Sequence, residues 1–142
     1  MVNKIVIPTD FSEASLKSLD LAKQAADAFD AELHLITAVQ APIVFQPTMA
    51  ASYPSVDELR REAMERLDAY EKEHLASLGR MVHKAVLDGR SSDEICRYAE
   101  DVDATMIVMA THGHSGLAHI VIGSTTENVV RHAKCPVLSV RA

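Results

Sequence analysis

Brief apolar runs rich in β-branched residues recur at positions 4–7, 33–39, 82–87, 105–110 and 137–140, each bounded by Pro, Gly, Asp or Ser. Runs this short, punctuated this way, predict strands. Between them the apolar spacing changes to that of helices. Leu16, Leu19, Ala22, Ala26 and Phe29 make one stripe, and Val56, Leu59, Ala63, Leu67, Tyr70 and Leu75 make a longer one. A shorter third helix opens at Ser91 with Glu94 three residues on, and a fourth at Ser124 with Glu127 at the same offset. Both pairs have the form of a reciprocal capping box.

Strand and helix alternate throughout, and a strand such as MIVM is apolar on both faces. That combination predicts a parallel sheet covered by helices on each side through right-handed crossovers, an open doubly wound α/β domain. With 142 residues, positions 1–142 make a single domain. Residues 40–55 break the pattern: Pro42, Pro47 and Pro54 interrupt them, and neither Gly nor an apolar period is present. They read as a long loop after the second strand, either a cover for a site or a passive insertion.

The net charge of -6 removes two function classes. A surface that tracks nucleic-acid phosphates or docks on an anionic membrane needs a basic face, so a small ligand or a protein partner is expected instead. The apolar run before Pro8 is too short for a signal segment and no stretch approaches the ~20 residues of a membrane span, which predicts a cytoplasmic protein. Cys96 and Cys135 are too few for a disulfide framework and are read as reduced and partly buried.

The chemistry gathers at two strand ends. In open parallel sheets the ligand crevice lies beyond the carboxyl ends of the strands, where connections diverge to opposite faces. Pro8-Thr9-Asp10-Phe11-Ser12 follows the first strand and Ala110-Thr111-His112-Gly113 follows the fourth; if these strands are neighbours, Asp10 and Gly113 meet. Gly113 and Gly123 bracket nine residues before the helix at Ser124. Glycine allows positive φ and close approach, and the first-turn amides of a helix are unpaired donors at its positive end. Ser124, Thr125 and Thr126 add hydroxyls, so the segment suits phosphate. Asp10 suits ribose hydroxyls or an adenine amino group, and Ala38 or Met109 could flank a base.

Each residue also has a plain structural reading. Ser124 can simply cap its helix, Asp10 can cap the first helix with Glu13, and the glycines can serve turns. Their convergence on one crevice favours a nucleotide site. The segment 110–128 contains no lysine or arginine, so neutralising a polyphosphate falls to amides, imidazole or a metal, and Mg²⁺ is expected with the nucleotide.

Two rivals are weaker. His112, His114, His119 and His132 crowd ahead of Cys135 and could hold zinc or copper, but no CxxC or HExxH framework is present. An acyl-transfer site lacks a G-x-S-x-G elbow, and nucleotidyl transfer lacks a histidine signature after the first strand.

PTDFS, the block GSTTENVVRHAKCPVLSVR, and the spacing A-x2-G-x9-G-S from Ala110 through Gly113 to Gly123 and Ser124 agree in order and spacing with one family. Over essentially its whole length the chain resembles the ATP-binding branch of the universal stress proteins, whose pattern is G-x2-G-x9-G-[ST]. The resemblance implies a five-stranded parallel sheet of order 3-2-1-4-5 and a homodimer joined through the last strand, residues 136–142. It also implies that Pro8, Thr9 and Asp10 hold adenine and ribose, that Ala38 and Met109 flank base and sugar, and that Gly113, Gly123, Ser124, Thr125 and Thr126 hold phosphates. One position departs: Ala110 stands where the pattern has its first glycine, which is harmless at negative φ and strained by roughly 1 kcal/mol or more at positive φ.

The reading that follows is a dimeric ATP-binding stress or signalling module, with Mg²⁺, an unidentified protein partner, and loops around 40–55 and 111–122 ordered by nucleotide. No Walker lysine or arginine finger is evident, so at most slow hydrolysis is expected. The alternative is a dimeric interaction protein of the same fold that binds no nucleotide.

Overall fold

The computed structural model describes residues 3–42, 52–112 and 122–141. Strand and helix alternate as β1 (Asn3–Pro8), α1 (Glu13–Phe29), β2 (Ala31–Val39), α2 (Val56–His74), β3 (Val82–Asp88), α3 (Ser91–Asp101), β4 (Met106–Ala110), α4 (Ser124–His132) and β5 (Val137–Val140). The strands form one sheet in the order β3-β2-β1-β4-β5, every pairing parallel. Fold class and strand order therefore match the sequence expectation.

Side-chain alternation along each strand builds two cores from one sheet. On one face Ile5, Ile7, Leu33, Leu35 and Val108 meet Leu19, Ala22 and Ala26 of α1 and Leu67 and Tyr70 of α2. On the other, Val6, Ile36, Ile107 and Met109 meet Ile95 and Ala99 of α3 and Val129 of α4. Neighbours in sequence, such as Val6 and Ile7, thus serve opposite cores, which is why the central strands are apolar at every position. The second core also contains a polar pair: buried His34 shares a hydrogen bond of 2.9 Å between Nδ1 and Tyr98 Oη. Burial, with His83 and Lys4 nearby, lowers the His34 pKa to about 4, so its ring is neutral.

Several local expectations are corrected. Phe29, placed on the apolar stripe of α1, is 50% exposed, because it is the last helical residue and the chain turns away through left-handed Asp30. The capping boxes expected at Ser91 and Ser124 do not form. Arg90 and Gly123 occupy those N-cap positions, neither helix has a side-chain cap bond, and both serines lie one residue inside. A full capping box forms instead at Ser55 with Glu58, directly ahead of the apolar stripe that begins at Val56. The expected loop after β2 falls mostly at 43–51, outside the described residues. Both cysteines are free thiols, half-buried beside the second core as expected, and burial raises the pKa of each. Among the described residues no helix is long and apolar enough to cross a membrane.

Leu67 has no exposed surface, so Leu67→Ala should destabilise the fold by about 2–5 kcal/mol in urea denaturation. Phe29→Ala should cost under about 1 kcal/mol. Equal losses at the two sites would contradict this division between core and surface.

Candidate functional site

Beyond the carboxyl end of the sheet, where β1 and β4 lie side by side, the surface opens into a cavity of about 310 Å³. Pro8, Thr9, Asp10, Ala38, Met109, Ala110, Gly123, Ser124, Thr125 and Thr126 all line it. Gly113, the remaining candidate, lies outside the described residues, as do most of 111–122.

The first wall is the turn after β1. Thr9 is held from both sides, its amide donating to Ile36 O at 2.9 Å and its carbonyl accepting from Thr37 Oγ1 at 2.8 Å. Asp10 Oδ1 accepts from the Ser12 amide at 3.0 Å and from Ser15 Oγ at 2.7 Å. Asp10 therefore fixes the turn, while the N-cap of α1 is Ser12 rather than Asp10. Phe11, between them, has φ of 64°, a left-handed conformation costing a non-glycine residue roughly 1 kcal/mol or more. Its ring is anchored on the edge of Tyr70, with centroids 5.5 Å apart, and under Arg66, 4.1 Å above. These contacts hold the strained turn, which presents Asp10 at the cavity.

The second wall is apolar. Ala38 and Met109 project from β2 and β4 toward the α3 side, and Ile95 of α3 joins them. A slot between this wall and Asp10 suits a flat, mostly apolar ring with polar edges.

The third wall is made by helix starts. Ser91 opens α3 and Ser124 opens α4, both at the cavity, and neither first turn is closed by a side chain. Two positive helix ends, whose first-turn amides have no side-chain cap among the described residues, converge there. Among the described residues no lysine or arginine lines the cavity, and Asp10 is the one carboxylate.

Of the two properties expected of glycine, Gly123 uses close approach and not positive φ. Its φ is -60°, so it uses no left-handed freedom. Its amide donates to Thr111 O at 2.6 Å, and an added Cβ would sit 3.3 Å from that oxygen. Close approach of α4 to the turn after β4, not positive φ, makes a side chain there tight, since Thr111 would have to give by a few tenths of an ångström to admit one. The Thr126 hydroxyl donates to Ala110 O at 2.7 Å, bracing the wall at the cavity it lines. Ala110 lies in β4 outside the left-handed region, so its methyl group carries no backbone strain.

The structure adds Ser15, Thr37, Ser91, Ile95 and His112 to the cavity lining. Ser91 and Ile95 are one helical turn apart, a spacing that would have revealed them had α3 been recognised as starting at the crevice. Of the histidine cluster, His112 is buried with Nδ1 3.0 Å from Thr111 Oγ1, and His132 Nδ1 lies on α4 beside Asn128 O at 2.9 Å. His114 and His119 are outside the described residues.

A family model described as the universal stress protein family matches residues 1–141. Universal stress protein MJ0531 of Methanocaldococcus jannaschii is 37% identical over 142 residues, spanning 99% of this chain and 83% of that protein. The solved structure of hypothetical protein MJ0577, from the same organism, superposes with a TM-score of 0.77 at 30% identity, covering 100% of this chain and 97% of that one. A universal stress protein solved in complex with cAMP superposes with a TM-score of 0.71 at 26% identity, over 97% of this chain and 96% of that one. Matched by sequence almost from end to end and by fold to solved relatives, this chain belongs to the universal stress protein family.

Proposed function

We propose that the chain is an ATP-binding stress or signalling module. The observation that carries this reading is the convergence, on one crevice, of a fixed carboxylate, an apolar slot and two uncapped helix starts. The relative in complex with cAMP supports an adenine nucleotide as the ligand class. In this reading Pro8, Thr9 and Asp10 meet ribose and the base edge, and Ala38 and Met109 flank the ring. Phosphates meet the α4 amides, Gly113, Gly123 and the hydroxyls of Ser124 and Thr125, with Thr126 holding the wall behind them.

Charge selects the companion ion. With no lysine or arginine lining the cavity among the described residues, the polyphosphate is neutralised by helix ends and by Mg²⁺, a hard cation suited to phosphate oxygens, hydroxyls, a carboxylate and water. The residues lining the cavity fit binding better than turnover, since among the described residues no cationic side chain is placed there to stabilise a transferring phosphoryl group. Hydrolysis should stay below about 1 s⁻¹, and faster release of phosphate by the pure protein would contradict this.

Titration calorimetry with ATP, ADP and AMP tests the ligand. ATP should bind in the presence of Mg²⁺, and EDTA should weaken it. Gly123→Val should abolish binding by driving a branched side chain against Thr111 O, without unfolding the protein. The shortage of cations favours a second reading, a non-nucleotide interaction protein. Absence of heat and of any thermal shift at millimolar nucleotide would select it.

We also propose a homodimer through residues 136–142. β5 ends the sheet, and Leu138 on it is 40% exposed, an open edge of the kind that pairs with a copy of itself. Sedimentation at micromolar concentration should give a dimer, and a Leu138→Lys variant should shift it toward monomer.

A further inference from the structure

At the other edge of the sheet a second polar cluster stands apart from the nucleotide crevice. His34 of β2 and His83 of β3 are register partners on adjacent parallel strands, and Glu32 lies two residues before His34, on the same face. One ligand atom from each of Glu32, His34 and His83 lies within 4.8 Å of the other two. His83 Nε2 is 3.1 Å from Glu32 Oε2, and the two imidazoles stack with centroids 4.4 Å apart. Ala38, at the cavity, is four residues farther along β2, roughly 13 Å away at strand rise.

The fold leaves one atom of this cluster unexplained. His34 is 5% exposed and its Nδ1 is engaged by Tyr98, yet its Nε2 is buried and has no hydrogen-bond partner among the described residues. A buried imidazole nitrogen without a partner costs about 1–3 kcal/mol, so a cluster that served only as a hydrogen-bond network would complete it. A metal ion would use that nitrogen. The Tyr98 hydroxyl, at the opposite ring nitrogen, is placed as the outer partner that fixes ring orientation in histidine metal sites.

We propose that Glu32, His34 and His83 form a divalent transition-metal site, with zinc the best fit to its two imidazoles and one carboxylate. Such a site takes three protein ligands at about 2.0–2.2 Å and leaves a fourth position to water. Those bond lengths put neighbouring ligand atoms about 3.3 Å apart, close to the His83–Glu32 separation of 3.1 Å. The remaining gaps close by turning His83 and Glu32, whose side chains are 43% and 32% exposed and leave the ion a route from solvent. Bound there, the ion clamps edge strand β3 to β2.

The experiment uses the full chain, free of any histidine tag and stripped with EDTA. Zn²⁺ is titrated by calorimetry, and Co²⁺ by the visible bands that a tetrahedral site gives it. One equivalent should bind, with a thermal stabilisation that EDTA reverses. His83→Ala, at an exposed position, and Glu32→Gln, at a half-buried one, should each weaken binding by at least about tenfold with an unchanged circular dichroism spectrum. A His114→Ala/His119→Ala double variant should bind like the parent. Absence of stoichiometric binding, binding indifferent to both His83→Ala and Glu32→Gln, or binding lost only in the double variant would each overturn the site.

Discussion

The pairing of β1 with β4 is the constraint from which the candidate site follows. The two strands are far apart in sequence, yet Ile5 stands opposite Met106 and Val6 opposite Ile107. From this seam the chain leaves in opposite directions, β1 into α1 on one face and β4 toward α4 on the other. The cavity opens at the carboxyl ends of these two strands. Burial makes the seam obligatory, because both strands are covered on both faces and neither could sit at an edge without exposing apolar side chains.

The walls of that cavity depart from local rules in ways that have causes. Phe11 is held at positive φ by its contacts with Tyr70 and Arg66, so core packing on the α2 side supports the turn that carries Asp10. α3 and α4 begin without side-chain caps, although α1 and α2, whose starts are capped by Ser12 and Ser55, show that this chain can supply them. Uncapped amides cost stability in an empty protein and become donors when an anion is present. Ser15 and Thr126 extend the division of labour: their hydroxyls donate to Asp10 and to Ala110 O, bracing the groups that face the cavity.

The same sheet gathers polar residues at a second place with a different logic. At the crevice the donors are mainly backbone amides and hydroxyls, suited to oxygen anions. At the β2–β3 edge they are imidazoles and a carboxylate, suited to a borderline metal cation. The sheet separates them, since Glu32, His34 and Ala38 share one strand face but lie at different heights along it. Occupancy at one need not disturb the other.

Periodicity along the chain determined the five strands, the four helices, the parallel sheet covered on both faces and the turn residues at its carboxyl edge. Asp10, Met109 and Ser124 were legible because each sits within a residue or two of a strand end or helix start, and such signals are local. Tertiary structure alone decided that Gly123 is favoured by closeness to Thr111 rather than by its φ, and that the Thr126 hydroxyl donates to Ala110 O. It alone moved the N-caps of α3 and α4 onto Arg90 and Gly123, and it alone brought His34 against His83 from 49 positions away. The reason is physical: a strand or helix is specified by the spacing of neighbours in sequence, whereas register, crossover and side-chain competition are settled only when separate elements pack against one another.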